Sequence, residues 1–182
     1  MKILAGAWAM VASLALIPMG TTPMGYAQMA DGQMASPPAK ASVQLNGKNI
    51  SILYSSPSMR GRKIFGSLVP YDAIWRTGAN AATTLKTATD LRIGTATVPA
   101  GTYTLFTLPS QNTWKLIVNK QTGQWGLTYD PSKDLARIDM NKATLPAPQE
   151  KMSIGFENTH GASTQLHVRW DTTDVWVPVV AQ

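Results

Sequence analysis

Residues 165 to 171, Gln165-Leu166-His167-Val168-Arg169-Trp170-Asp171, alternate polar and apolar side chains at every step. Successive side chains of a β-strand point to opposite faces of a sheet, so this period of two describes a strand with one face on a core and the other in water. Leu166 and Val168 face the core in this reading, and His167 lies on the wet face. Just upstream, Met152-Ser153-Ile154-Gly155-Phe156-Glu157 repeats the pattern, with the apolar set alternating against small or charged residues.

The same grammar extends outward in both directions. Val175 to Val179 reads as a last strand, and Leu135 to Met140, Trp125 to Tyr129, Trp114 to Val118 and Thr102 to Leu108 as earlier ones. Thr95 to Val98, Leu91 to Ile93 and the threonine-rich run Ala82 to Ala88 continue the series toward the amino end. Val43 and Leu45 then precede Asn46-Gly47, and Ile50, Ile52 and Tyr54 follow it in alternation. Asn-Gly between alternating runs is a strong hairpin signal, because both residues tolerate the positive φ of a tight turn. Pro146 and Pro148 mark a loop between late strands, since neither donates to a ladder. These are about ten short strands, with no amphipathic helix outside the amino-terminal segment. They predict an all-β fold, an antiparallel β-sandwich of jelly-roll or immunoglobulin-like type. Tyr103, Leu105, Leu116, Ile138, Ile154, Leu166 and Val168 are its expected core.

The chain opens with Met1-Lys2, an apolar run from Ile3 to Ile17 and a polar stretch ending Gly25-Tyr26-Ala27. A short cationic start, an apolar run too short to span a bilayer comfortably and small residues at Gly25 and Ala27 describe a secretory signal over residues 1–27, with cleavage after Ala27. Residues 28–40 carry Gly, Ser and a proline pair without periodicity and read as a flexible leader. Residues 41–182 then form a single domain, with no transmembrane span after cleavage. The expected location is outside the cytoplasm, periplasmic or extracellular. A domain of roughly 150 residues buries about 70% of its unfolded surface, enough for a core without covalent staples. The absence of cysteine excludes thiol catalysis, disulfides and thiolate metal sites.

Net charge is +6, although only 14% of residues are charged. That balance favours anionic partners, while export and the lack of a basic run interleaved with aromatics argue against nucleic acid. His160 and His167 find no third ligand at a metal-site spacing, so neither a metal nor a cofactor is expected. No Gly-x-Ser-x-Gly elbow, phosphate-binding loop or dinucleotide fingerprint occurs. Tyr129-Asp130, Asp134 and Asp139 supply carboxylates, but acids at strand ends ordinarily serve as solvated charges, and no catalytic residue is assigned.

Residues 60–80 differ from their surroundings. Arg60, Arg62, Lys63 and Arg76 sit among three glycines and three aromatics, and Asp72 is the sole acid. The segment has neither strand nor helical period, so it reads as a long ordered loop, a common seat of function. Guanidinium groups bind carboxylate, sulfate or phosphate through paired donors, an indole offers a flat apolar platform, and an amide both donates and accepts. Arg60, Arg62, Lys63, Trp75, Arg76 and Asn80 are therefore the candidate ligand-binding residues. A competing reading buries Arg76 against an acid such as Glu157 and packs Trp75 in the core. It makes Arg76 an anchor and leaves ligand contact chiefly to Arg60, Arg62 and Lys63.

Four stretches carry a family resemblance: Ser55 to Gly66, Leu68 to Asn80, Val98 to Pro109 and Trp114 to Lys120. In sequence and order they resemble the bacterial domain of unknown function family 2911, over about Ala41 to Val179. The resemblance implies exported bacterial proteins, commonly with a signal peptide, and brings no activity. The family pattern usually places Glu after Gly-Ala-Asn, whereas this chain has Ala81, which weakens any catalytic role for the loop.

The functional expectation is an exported β-sandwich that binds a small-molecule or glycan ligand, anionic or carbohydrate, through residues 60–80. Two other classes compete with it. One is a hydrolase of an envelope polymer using Asp or Glu acid–base chemistry. The other is a structural envelope module that meets a partner through Trp176 or Val180 on the outward face of the last strand.

Overall fold

A computed structural model describes residues 35–182. The signal-peptide reading of residues 1–27 and most of the leader lie outside the described residues. β1 (Pro38–Leu45) and β2 (Lys48–Ser55) form the expected hairpin, with Leu45 opposite Lys48. Asn46 and Gly47 take φ of 49° and 73°, the paired positive values that a two-residue type I′ turn demands. β1 begins at Pro38, three residues before the expected start of the domain at residue 41. β1 is the end strand of the sheet, and a proline is tolerated where the edge needs no ladder donor.

The remaining strands are β3 (Thr83–Thr87), β4 (Leu91–Ile93), β5 (Ala96–Val98), β6 (Gly101–Pro109), β7 (Trp114–Asn119), β8 (Asp134–His160) and β9 (Ser163–Ala181). All pair antiparallel, in the order β1-β2-β3-β6-β7-β8-β9-β4-β5. The fold is therefore all-β. Among the described residues the only helical turn is a short 3-10 segment at Pro131–Lys133. Among the described residues no helix is long and apolar enough to cross a membrane.

β8 makes the sheet continuous where two layers were expected. Asp134 to Met140 pair with β7, and from Asn141 onward the same strand pairs with β9. Inward side chains from all nine strands meet in one core, including Leu45, Ile52, Leu85, Ile93, Val98, Leu105, Leu116, Ile154 and Leu166. The seven core residues expected from alternation are all buried.

Four expected strands merge into two. Leu135–Met140 and Met152–Phe156 both belong to β8, and Gln165–Trp170 and Val175–Val179 both belong to β9. Pro146 and Pro148 do not end the strand. They lie exposed where the pairing register shifts between Thr144 and Gln149, a bulge in which a missing donor costs nothing. Across from it, Asp171 turns through φ 54° and kinks β9 to match. The expected strand at Trp125–Tyr129 is absent. Only Trp125 bridges, to Ala81, and Trp125 and Leu127 are 57% and 75% exposed.

The segment after β2 extends the sheet before crossing the end of the core. Met59 N–H donates to Glu150 O and Met152 N–H to Pro57 O, tying it to the middle of β8. Farther on, Trp75 exchanges both backbone hydrogen bonds with Thr107, at 2.8 Å each. It thereby fills the place beside β6 that β3, starting only at Thr83, leaves open.

Candidate functional site

The loop of residues 57–80 is fastened from within by its aromatics. Trp75 stacks on Trp170 at 5.9 Å and 18°, and Phe65 meets Trp75, Trp114 and Trp170 edge-on. Trp75 is 8% exposed and donates its indole N–H to Gly78 O, so it is a core residue that also shows an edge to the site.

Its backbone is held in an uncommon course. Thr77, a β-branched residue, sits fully buried at φ 52°, a conformation that costs about 1–3 kcal/mol and persists only where neighbours enforce it. The enforcement is visible in two bonds: Thr77 Oγ1 donates to Thr107 Oγ1 at 3.2 Å, and Thr83 Oγ1 donates to Thr77 O at 2.9 Å. Gly78 passes so close to β2 that a Cβ there would sit 2.9 Å from Ser55 O. On the other side, a Cβ on Gly126 would lie 2.4 Å from Arg76 Cδ and 2.6 Å from Asn80 O. A bare glycine at 126 is what lets the Arg76 chain lie against that turn.

A cleft of about 300 Å³ opens beside the loop, lined by Ser36, Pro57, Arg62, residues 68–70, residues 73–76, Gly78, Ala79, Leu127 and Trp170. Three of the six sequence-predicted residues, Arg62, Trp75 and Arg76, line it. Arg60, Lys63 and Asn80 do not. Arg60 is exposed; its backbone N–H donates to Glu150 Oε1 and its Nη2 to Ala35 O. Lys63 is exposed. Asn80 Nδ2 donates to Ser36 O, which steers the incoming chain past the cleft.

The two arginines of the cleft differ in kind. Arg62 curls back, with Nε donating to Met59 O at 2.8 Å and Nη2 to Ser58 O at 2.7 Å. Arg76 is half-buried and donates only Nε, to Gly78 O at 3.3 Å; among the described residues its Nη groups have no partner. Burial lowers its pKa from the ordinary arginine value, and no acidic group opposes that shift. The expected pairing of Arg76 with Glu157 is thus corrected. Glu157 is taken by Arg169, which grips both its carboxylate oxygens and also donates Nε to Asp174 Oδ2 at 2.8 Å.

Arg169 belongs to a cluster that alternation alone did not reveal. His167, expected on a wet face, is only 6% exposed; Nδ1 donates to Asp174 Oδ1 at 2.9 Å and the ring stacks on Trp176 at 5.5 Å. The wet-face expectation for His167 is thus corrected, because Trp176 stacks over the ring and covers it.

The acids weighed for catalysis are engaged elsewhere. Asp139 pairs with Lys115, and Asp130 caps the 3-10 turn by accepting from Ser132 N–H; the Ser132 side chain, then that backbone hydrogen bond, lowers its pKa. Asp134 accepts from Tyr129 Oη, Arg137 Nε and Asn119 Nδ2 at 2.7–2.9 Å. Burial, then the hydrogen bond to Asp134, pushes the Tyr129 phenol up to about 12. An unfolded chain would release that proton near pH 10. The folded state therefore holds the extra proton between about 10 and 12, and this contribution to stability, complete below pH 10, is lost as pH rises through 12. Tyrosinate absorbance should show one phenol titrating near 12 that Tyr129→Phe removes, together with a shallower alkaline fall in melting temperature. An unchanged titration curve would exclude this assignment.

Residues missed by sequence reasoning are Leu68, Leu127, Trp170 and Ser36, which reach the cleft from four separate parts of the chain. Ala81 is exposed on the bridge to Trp125 and does not line the cleft. A family model described as "Protein of unknown function (DUF2911)" matches residues 36–179. No curated protein and no solved structure matches the chain.

Proposed function

The chain belongs to the DUF2911 family of proteins of unknown function, and because that membership brings no reaction with it, we propose a function from the site: an exported domain, periplasmic or extracellular, that captures a small anionic ligand in the cleft beside residues 57–80. The observation that carries this reading is Arg76, a half-buried guanidinium lining a cleft with no acid to neutralise it. A buried charge is ordinarily paired, and a site that withholds the partner is suited to an incoming anion. No Asp or Glu lines the cleft among the described residues, which disfavours the acid–base hydrolase. Trp176 is occupied by His167, which disfavours an interaction module built on that side chain.

Arg76→Gln separates an anchor from a ligand contact. Urea melts should place the variant within about 0.5 kcal/mol of the parent, as for surface substitutions that break no buried pair. Binding of small anions, followed by calorimetry, should weaken about 10–100-fold, the worth of a hydrogen bond to a charged group. A variant that unfolds, or one that binds anions as well as the parent, would overturn the assignment.

A further inference from the structure

Resting on that reading of the cleft, we infer that the ligand is an amphipathic monoanion, an aryl or medium-chain alkyl carboxylate, whose charged end meets Arg76 and whose apolar body lies along Trp75, Trp170, Leu68 and Leu127. Of the two cations in the cleft, Arg62 spends Nε and Nη2 on the carbonyls of Met59 and Ser58, so Arg76 is the guanidinium with both Nη groups free. A carboxylate is the planar anion that such paired Nη donors fit.

The remainder of the lining describes the other end of the ligand. A sugar needs side-chain amides or carboxylates to pair with its hydroxyls, and among the described residues no Asn, Gln, Asp or Glu lines the cleft. The indole donors are also committed, Trp75 Nε1 to Gly78 O and Trp170 Nε1 to Glu150 O. Apart from Ser36 the remaining side chains are apolar, and two of them are uncovered: Leu68 and Leu127, 45% and 75% exposed, are two of the four exposed large hydrophobic side chains among the described residues. Apolar surface left open beside a guanidinium with free donors matches a ligand that carries both characters.

The test is calorimetry with butanoate, hexanoate and octanoate, with 3-phenylpropanoate, and with octanol, inorganic phosphate and galacturonate as contrasts, each below its aggregating concentration. Affinity should rise about fourfold per methylene of the alkyl series, the worth of burying one such group. Octanol should bind at least about tenfold more weakly than octanoate for want of the charged hydrogen bond. Leu127→Ser, at a site too exposed to affect folding, should flatten the chain-length dependence, and Arg76→Gln should erase the preference for acid over alcohol. If phosphate or galacturonate binds as tightly as octanoate and Arg76→Gln abolishes it, the amphipathic ligand is wrong and the anion cleft stands. If no member of the panel binds, both readings fall.

Discussion

Trp75→Ala should destabilise the domain by about 3–5 kcal/mol, the range for emptying a large aromatic from a core that closes poorly around the gap. The gap would be bordered by three other rings. Trp75 stacks on Trp170 and meets Phe65 and Trp114 edge-on, at centroid distances of 5.9 to 6.3 Å. Rigid rings cannot flow into a void, so the loss belongs at the upper end. With about 2–4 °C per kcal/mol for domains of this size, melting should fall by about 6–20 °C. The neighbouring Arg76→Gln, which leaves every ring in place, should melt with the parent. A loss below about 1 kcal/mol for Trp75→Ala would show that the loop does not seal the core.

Arg169→Met should be the second severe change, at about 3 kcal/mol. It strips the guanidinium from Asp174, whose side chain is 9% exposed, and leaves that carboxylate with His167 alone. Breaking a buried pair by removing one partner costs about 3–5 kcal/mol, because the remaining charge is stranded. The Glu157 arm adds little, since that side chain is 41% exposed and water replaces its partner. Glu157→Gln should accordingly cost less than about 1 kcal/mol. The double variant Arg169→Met, Asp174→Asn should be more stable than Arg169→Met alone, as expected when the stranded charge is also removed. If the double variant is worse than either single one, the cluster is held by packing rather than by charge.

Local pattern made much of the fold readable. Alternation over Met152–Glu157 and Gln165–Trp170 identified buried residues, and Asn46-Gly47 identified a hairpin. What was hidden depends on partners distant in sequence. The length of β8 and β9 was invisible because Pro146 and Pro148 look like a break until a bulge gives them somewhere to sit. Trp125–Tyr129 has the composition of a strand but finds no ladder; its only bridge is at Trp125.

The candidate site divides in the same way. The loop announced itself through composition, and Arg62, Trp75 and Arg76 do line a cleft. Which arginine keeps its Nη donors free could not be read locally. That depends on Glu157 having a nearer cation in Arg169, twelve residues away along the β8–β9 hairpin, and on Arg62 finding carbonyls within its own turn.

The bulge in β8 also bears on how the protein behaves in company. Residues 145–148 have no cross-strand partner in β9, and unpaired backbone on an exposed strand invites pairing with another molecule. Backbone N–H groups alternate sides along a strand, so Pro146 and Pro148, two positions apart, remove successive donors from the same edge. An incoming strand would find that edge blank where a self-templating ladder would have to start. The prolines that looked like a chain break thus leave the longest hairpin among the described residues without successive donors at the one place where its pairing lapses.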